Sequence, residues 1–220
     1  MQNYKSFKKQ LHDFGFLKGL KYFQTFLRSE EELLLIIKNI NLNDEKFPLF
    51  QLKKGPIHPI SSSKEIQNGD LENIIIKTGK EQNNLNHIVF LIAFYSKTTK
   101  PYIWLRNHHE KLITNLSNPD FPLELNSTQD WEISLKNFQE IFCEIIQKMF
   151  PNQKNPFEID REFIEEIENK TQKHLIICSL LKLIQNFLNT SNLIFEKKEF
   201  ESDLLFLVEK HNETKECFNN

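Results

Sequence analysis

The chain has 220 residues, 28 basic against 30 acidic side chains, a formal net charge of −2 and an apolar fraction of 39%. This balance excludes a general affinity for phosphate backbones or anionic membranes, and the longest apolar run, Ile88–Tyr95, is too short to span a bilayer. The skew towards 24 Ile, 23 Asn, 25 Lys and 20 Phe, with one Ala and three Arg, is that of AT-rich codons, so the Lys and Asn content is not itself a nucleic-acid signal.

The N-terminal 29 residues are basic and rich in phenylalanine. They lack the Arg and Ser bias of a mitochondrial presequence, and they read as core-packing helix rather than as a membrane-surface one. Phe7, Leu11 and Phe14 stand at helical spacing, as do Leu20, Phe23 and Leu27, with Gly15 and Gly19 between them. Two helices, or one bent near Gly15, are expected. Ser29–Glu32 has the form of a capping box ahead of LLLIIKNI, which predicts a helix from Glu30 to about Ile40.

Residues 41–70 carry three prolines, two glycines and three consecutive serines, and read as a mobile loop with a short strand at Phe47–Leu52. Three strands are expected next, at Asn73–Lys77, His87–Ser96 and Tyr102–Arg106, forming a small antiparallel sheet over about 71–107. From Ser127 the chain turns helical. Trp131, Leu135, Phe138, Phe142, Ile145 and Met149 form an apolar stripe that Pro151 ends. Asn155-Pro-Phe-Glu then reads as the start of a helix running from Pro156 to about Leu188. Its second half, HLIICSLLKLIQNFL, is apolar almost all round, which marks a helix that is central or covered by a partner. Phe200, Leu204, Leu207 and Val208 suggest a last helix, before a polar tail expected to be disordered. The fold class that follows is α+β: N-terminal helices, the small sheet, and a C-terminal helical layer, all in a single domain over 1–220.

Cys143, Cys178 and Cys217 are far apart and lack a C-x-x-C pair, which argues for free thiols in a reducing intracellular compartment, cytoplasm or nucleus, rather than a disulfide framework or a thiolate zinc site. Seven histidines show no metal-ligand spacing beyond the adjacent His108 and His109, and adjacent side chains point apart. No glycine-rich phosphate loop or known hydrolase motif is present, so no cofactor or metal is expected.

The most suggestive cluster runs from Tyr102 to Glu110. Tyr102, Trp104 and Arg106 have a binding-site composition, and His108, His109 and Glu110 are weak catalytic candidates at a strand end. Against this stands a plain turn with Trp104 in the core. The function expected is a non-catalytic subunit or adaptor of a larger assembly, working through contacts with other protein subunits. The alternative is a nucleic-acid binder or small nuclease using Arg106 and His109.

Overall fold

The computed structural model describes residues 2–38, 50–57, 87–106, 112–114, 120–129, 131, 138–188 and 197–216. The first helix, α1 (Gln2–Asp13), follows the Phe7/Leu11 spacing, and both side chains are buried together with Phe14 just beyond it. The chain then reverses at Gly15. A Cβ there would stand 3.0 Å from that of Leu27, whose N–H donates to the Gly15 carbonyl at 2.7 Å. The buried Thr25 hydroxyl accepts from the Leu17 N–H at 2.9 Å and donates to the Phe14 carbonyl.

The second N-terminal helix and the helix from Glu30 are both strands: β1 (Phe23–Ser29) and β2 (Glu32–Ile37). Phe23 and Leu27 stand at strand spacing as well as at helical spacing, and Thr25 between them, a polar residue facing inward, hides the alternation. In β2 both faces are buried, so the run ELLLII shows no period at all. Ser29 closes the two-residue turn between the strands, its Oγ accepting from the Glu31 N–H at 3.2 Å instead of capping a helix.

β2 pairs with β4 (Ile88–Ala93), and β4 with β5 (Tyr102–Leu105), giving an antiparallel sheet in the order β1-β2-β4-β5. The β4–β5 hairpin stands where it was expected. Asn73–Lys77 and most of the 41–70 loop lie outside the described residues, and half of the sheet comes from residues 23–37. Two short strands, β3 (Phe50–Gln51) and β6 (Ile113–Thr114), pair in parallel beside it.

The α2 helix (Phe138–Met149) buries Phe138, Ile141, Phe142, Ile145 and Ile146 and stops ahead of Pro151, as its stripe predicts. Phenylalanine takes over the packing that small residues do elsewhere. The Phe142 ring lies 5.6 Å from Phe14, 5.4 Å from Phe23 and 6.3 Å from Phe157, and Phe157 continues to Phe200 at 6.3 Å. One hydrophobic cluster thus takes residues from Phe7 to Leu207.

The single helix expected over 156–188 is divided into α3 (Arg161–Glu166) and α4 (Lys170–Leu188). Asn155 accepts from the Phe157 N–H at 3.1 Å, an Asx turn rather than a helix cap. Beyond it, Ile159 bridges Leu20, and the Asp160 N–H donates to the Gly19 carbonyl at 2.8 Å. The caps actually used are Asp160, which accepts from Phe163, and Asn169, which accepts from Gln172. Gly19 has φ +83°, and a Cβ there would meet Leu180 and Ile164 at 3.2 and 3.3 Å. The last helix, α5 (Lys197–Glu216), takes in the first six residues of the tail expected to be disordered. The molecule is mixed α+β with helices at both ends of a small antiparallel sheet. Among the described residues, no helix is long and apolar enough to cross a membrane.

Candidate functional site

On β5, Tyr102 and Trp104 share one face of the sheet while Ile103 and Leu105 face the main core. Trp104 is buried with Leu34, Ile36, Val89, Leu91 and Ala93 in a second, smaller core. Its ring lies 5.8 Å from that of half-buried Tyr102 and 6.4 Å from that of Tyr95. Arg106 follows the strand, half-buried, with its N–H donating to the Val89 carbonyl at 2.8 Å. The structure therefore brings Tyr102 and Trp104 together, but through packing, and Trp104 offers almost no surface. His108, His109 and Glu110 lie outside the described residues.

Beside Tyr102 is a shallow recess lined by Lys53, Lys54, Gly55, Lys100 and Pro122, with the Lys100 ammonium 5.7 Å from the Tyr102 ring centroid. Its volume, about 70 Å³, is far below the roughly 300–1,000 Å³ of small-molecule sites.

A second cluster joins the two C-terminal helices. His174 and Cys178 stand one turn apart on α4, and His211 comes from α5. The helices are held here by Thr214, which is buried at 5% exposure. Its Oγ1 lies 2.9 Å from His174 Nδ1 and 3.0 Å from each of the Lys210 and His211 carbonyls. With the threonine proton on one of these carbonyls, Nδ1–H donates to the threonine oxygen. In that tautomer the Nε2 lone pair faces Cys178 Sγ, 3.6 Å away. The His211 ring stacks on that of His174 with centroids 5.0 Å apart. Burial pushes the Cys178 thiol up, and it pushes that of Cys143 on α2 up to about 12, so neither is an activated nucleophile.

The histidine spacings gave no sign of this cluster, because its local signal pairs unlike residues, His-x-x-x-Cys, and its third member is distant in sequence on another helix. Only the antiparallel packing of α4 and α5 brings His211 near.

The outer surface of the same helices is unusual. Leu205 is 72% exposed, Leu175 58% and Val208 43%. Glu201 and Glu209, both exposed, stand one turn on either side of Leu205. The neighbouring α3 adds exposed Glu162, Glu165 and Glu166, and ion pairs from Arg161 to Asp203 at 3.0 Å and from Lys210 to Glu165 at 2.9 Å hold it against α5.

Residues 76–213 match the family described as a domain of unknown function, DUF7886. The match covers more than half of the chain, which belongs to that family. It includes β4, β5 and all three members of the His–Cys–His cluster, while α1, β1 and β2 precede it. No curated protein and no solved structure gives a significant match.

Proposed function

We propose that this member of the DUF7886 family is a non-catalytic subunit of a larger assembly that docks another protein on the outer face of α5. The observation that carries the reading is Leu205, a large apolar side chain 72% open to solvent and joined one turn later by Val208. The acids that flank it decide what kind of occupant fits. A second copy of the chain would set acid against acid, whereas a partner with an apolar ridge rimmed by Lys or Arg meets both the leucine and its neighbours. The free thiols of Cys143 and Cys178 suit a reducing intracellular compartment.

The test is the native mass of the protein in extract of its own cells. It should greatly exceed 26.3 kDa. Leu205→Lys, which sits between Glu201 and Glu209 without like-charge repulsion and opposes a basic partner, should return it to the monomer value while changing the stability of the purified chain by no more than about 0.5 kcal/mol. A sole monomer peak for the wild type sinks the reading.

A second reading, single-stranded nucleic-acid binding, draws on Lys53, Lys54 and Lys100 around Tyr102. Salt-dependent binding of a labelled RNA oligonucleotide, lost in a Lys53→Ala/Lys54→Ala variant, would support it. Nuclease activity that disappears in His109→Ala would extend it to catalysis.

A further inference from the structure

We infer that His174, Cys178 and His211 form a binding site for a zinc-like divalent ion, one that ties the start of α4 to the end of α5. The ligand atoms all lie within 4.8 Å of one another. In a tetrahedral zinc site, bonds of about 2.0–2.1 Å to nitrogen and 2.3 Å to sulfur set nitrogen and sulfur about 3.6 Å apart. The Nε2–Sγ separation is 3.6 Å, so two of the three ligands already stand at coordination distance from each other. A ring nitrogen of His211 lies within 4.8 Å of both, so the third ligand has to close by about 1 Å when an ion binds.

The threonine supplies the second, independent sign. Metal-bound histidines donate their other ring N–H to an oxygen that fixes the tautomer. Thr214 plays that part for His174 and is nearly inaccessible to solvent itself. Two imidazoles and a thiolate suit a borderline-soft ion, and three protein ligands leave a fourth position for solvent. On binding, Cys178 releases its thiol proton to solvent as the metal–sulfur bond forms, with no change in oxidation state. The cluster contains no residue of the docking face, so the metal site stands or falls independently of the partner reading.

Cobalt(II) titration of the purified full chain is the direct test, because a thiolate ligand gives a sulfur-to-cobalt charge-transfer band in the near ultraviolet. The expected result is one cobalt per chain with that band, bleached by equimolar zinc. Cys178→Ser should abolish the band, and Cys143→Ser should leave it intact. Thr214→Val, which keeps the shape and removes the hydroxyl, should weaken binding about 10–100-fold. Zinc at a hundredfold excess over its Kd should raise the melting temperature by about 5–10 °C. Absence of uptake by the wild-type chain overturns the assignment. So does a band that survives in Cys178→Ser, or uptake that His211→Ala leaves unchanged.

Discussion

β2 and α4 are both strongly apolar in sequence, ELLLII against HLIICSLLKLI, and the fold uses them differently. In β2, Leu33, Leu35 and Ile37 enter the main core and Leu34 and Ile36 the smaller one, so apolar surface is consumed on both faces. In α4, Ile176, Ile177, Leu180, Leu183 and Ile184 suffice to cover the core side, while Leu175 stays exposed. Its partner α5 repeats the pattern, with Leu207 buried and Leu205 open. Continuous hydrophobicity thus marks a saturated element in one place and a surplus in the other. Saturation makes a scaffold, and the surplus on α5 is the observation on which the proposed docking face rests.

The largest expected effect breaks the scaffold side. Ile36 is fully buried near the end of β2, in the smaller core, and Ile36→Asp places an unpaired charge there. A loss of about 4 kcal/mol or more is expected, which abolishes cooperative unfolding. Soluble protein with an unchanged melting temperature would show that the sheet is not the stabilising element.

A smaller effect is expected at the seam between α3 and α5. Asp203, 5% exposed, accepts from the Ile159 N–H at 3.2 Å and from Arg161 at 3.0 Å. Asp203→Ala leaves a buried backbone donor unsatisfied, and chemical denaturation should show a loss of about 1–3 kcal/mol. The exposed arginine end of the pair adds little to that figure.

The smallest effect is titration of the sheet's outer clasps. Tyr4 donates to Glu31, and that hydrogen bond, helped by burial and by the charge of Glu31 and Glu30, pushes its pKa from 10.0 to about 12. Tyr95, which donates to Glu32 at 2.7 Å, is raised chiefly by burial. A phenol whose folded pKa is raised contributes fully below its unfolded value and loses that contribution as pH climbs towards the folded one. The melting temperature should therefore fall between about pH 10 and 12, and more steeply in the wild type than in a Tyr4→Phe/Tyr95→Phe variant. Equal slopes would assign the alkaline loss to other groups.

Sequence pattern served well where one face of an element is buried. Phe7/Leu11, the α2 stripe and the Phe200/Leu207 face all show the period of the element they form. The β4–β5 hairpin is legible for another reason: β4 is buried on both faces, and its β-branched and aromatic run, ended by a turn, marks it as a strand without any period. Periodicity misled in β2, where both faces are buried and a cap-like Ser29–Glu32 precedes the run, and in β1, where a polar residue, Thr25, turns inward. Local pattern also misled where one cap signal serves two structures: Ser29 and Asn155 use the same oxygens to close turns that they would use to start helices. Asp160 and Asn169, the caps in use, lie inside what reads as one continuous helix. The aromatic pair on β5 stood out in sequence, yet Trp104 is drawn into the core by neighbours on β2 and β4 that no local window contains. The His–Cys–His cluster needs two helices to be seen at once.

Amide hydrogen exchange on the native assembly, set beside the isolated chain, tests the division between saturated sheet and open helix pair most directly. The outer face of α5, around 201–212, should gain protection in the assembly, while β2 and β4 should be equally protected in both. Protection gained instead on the sheet, or nowhere along α5, would contradict the account.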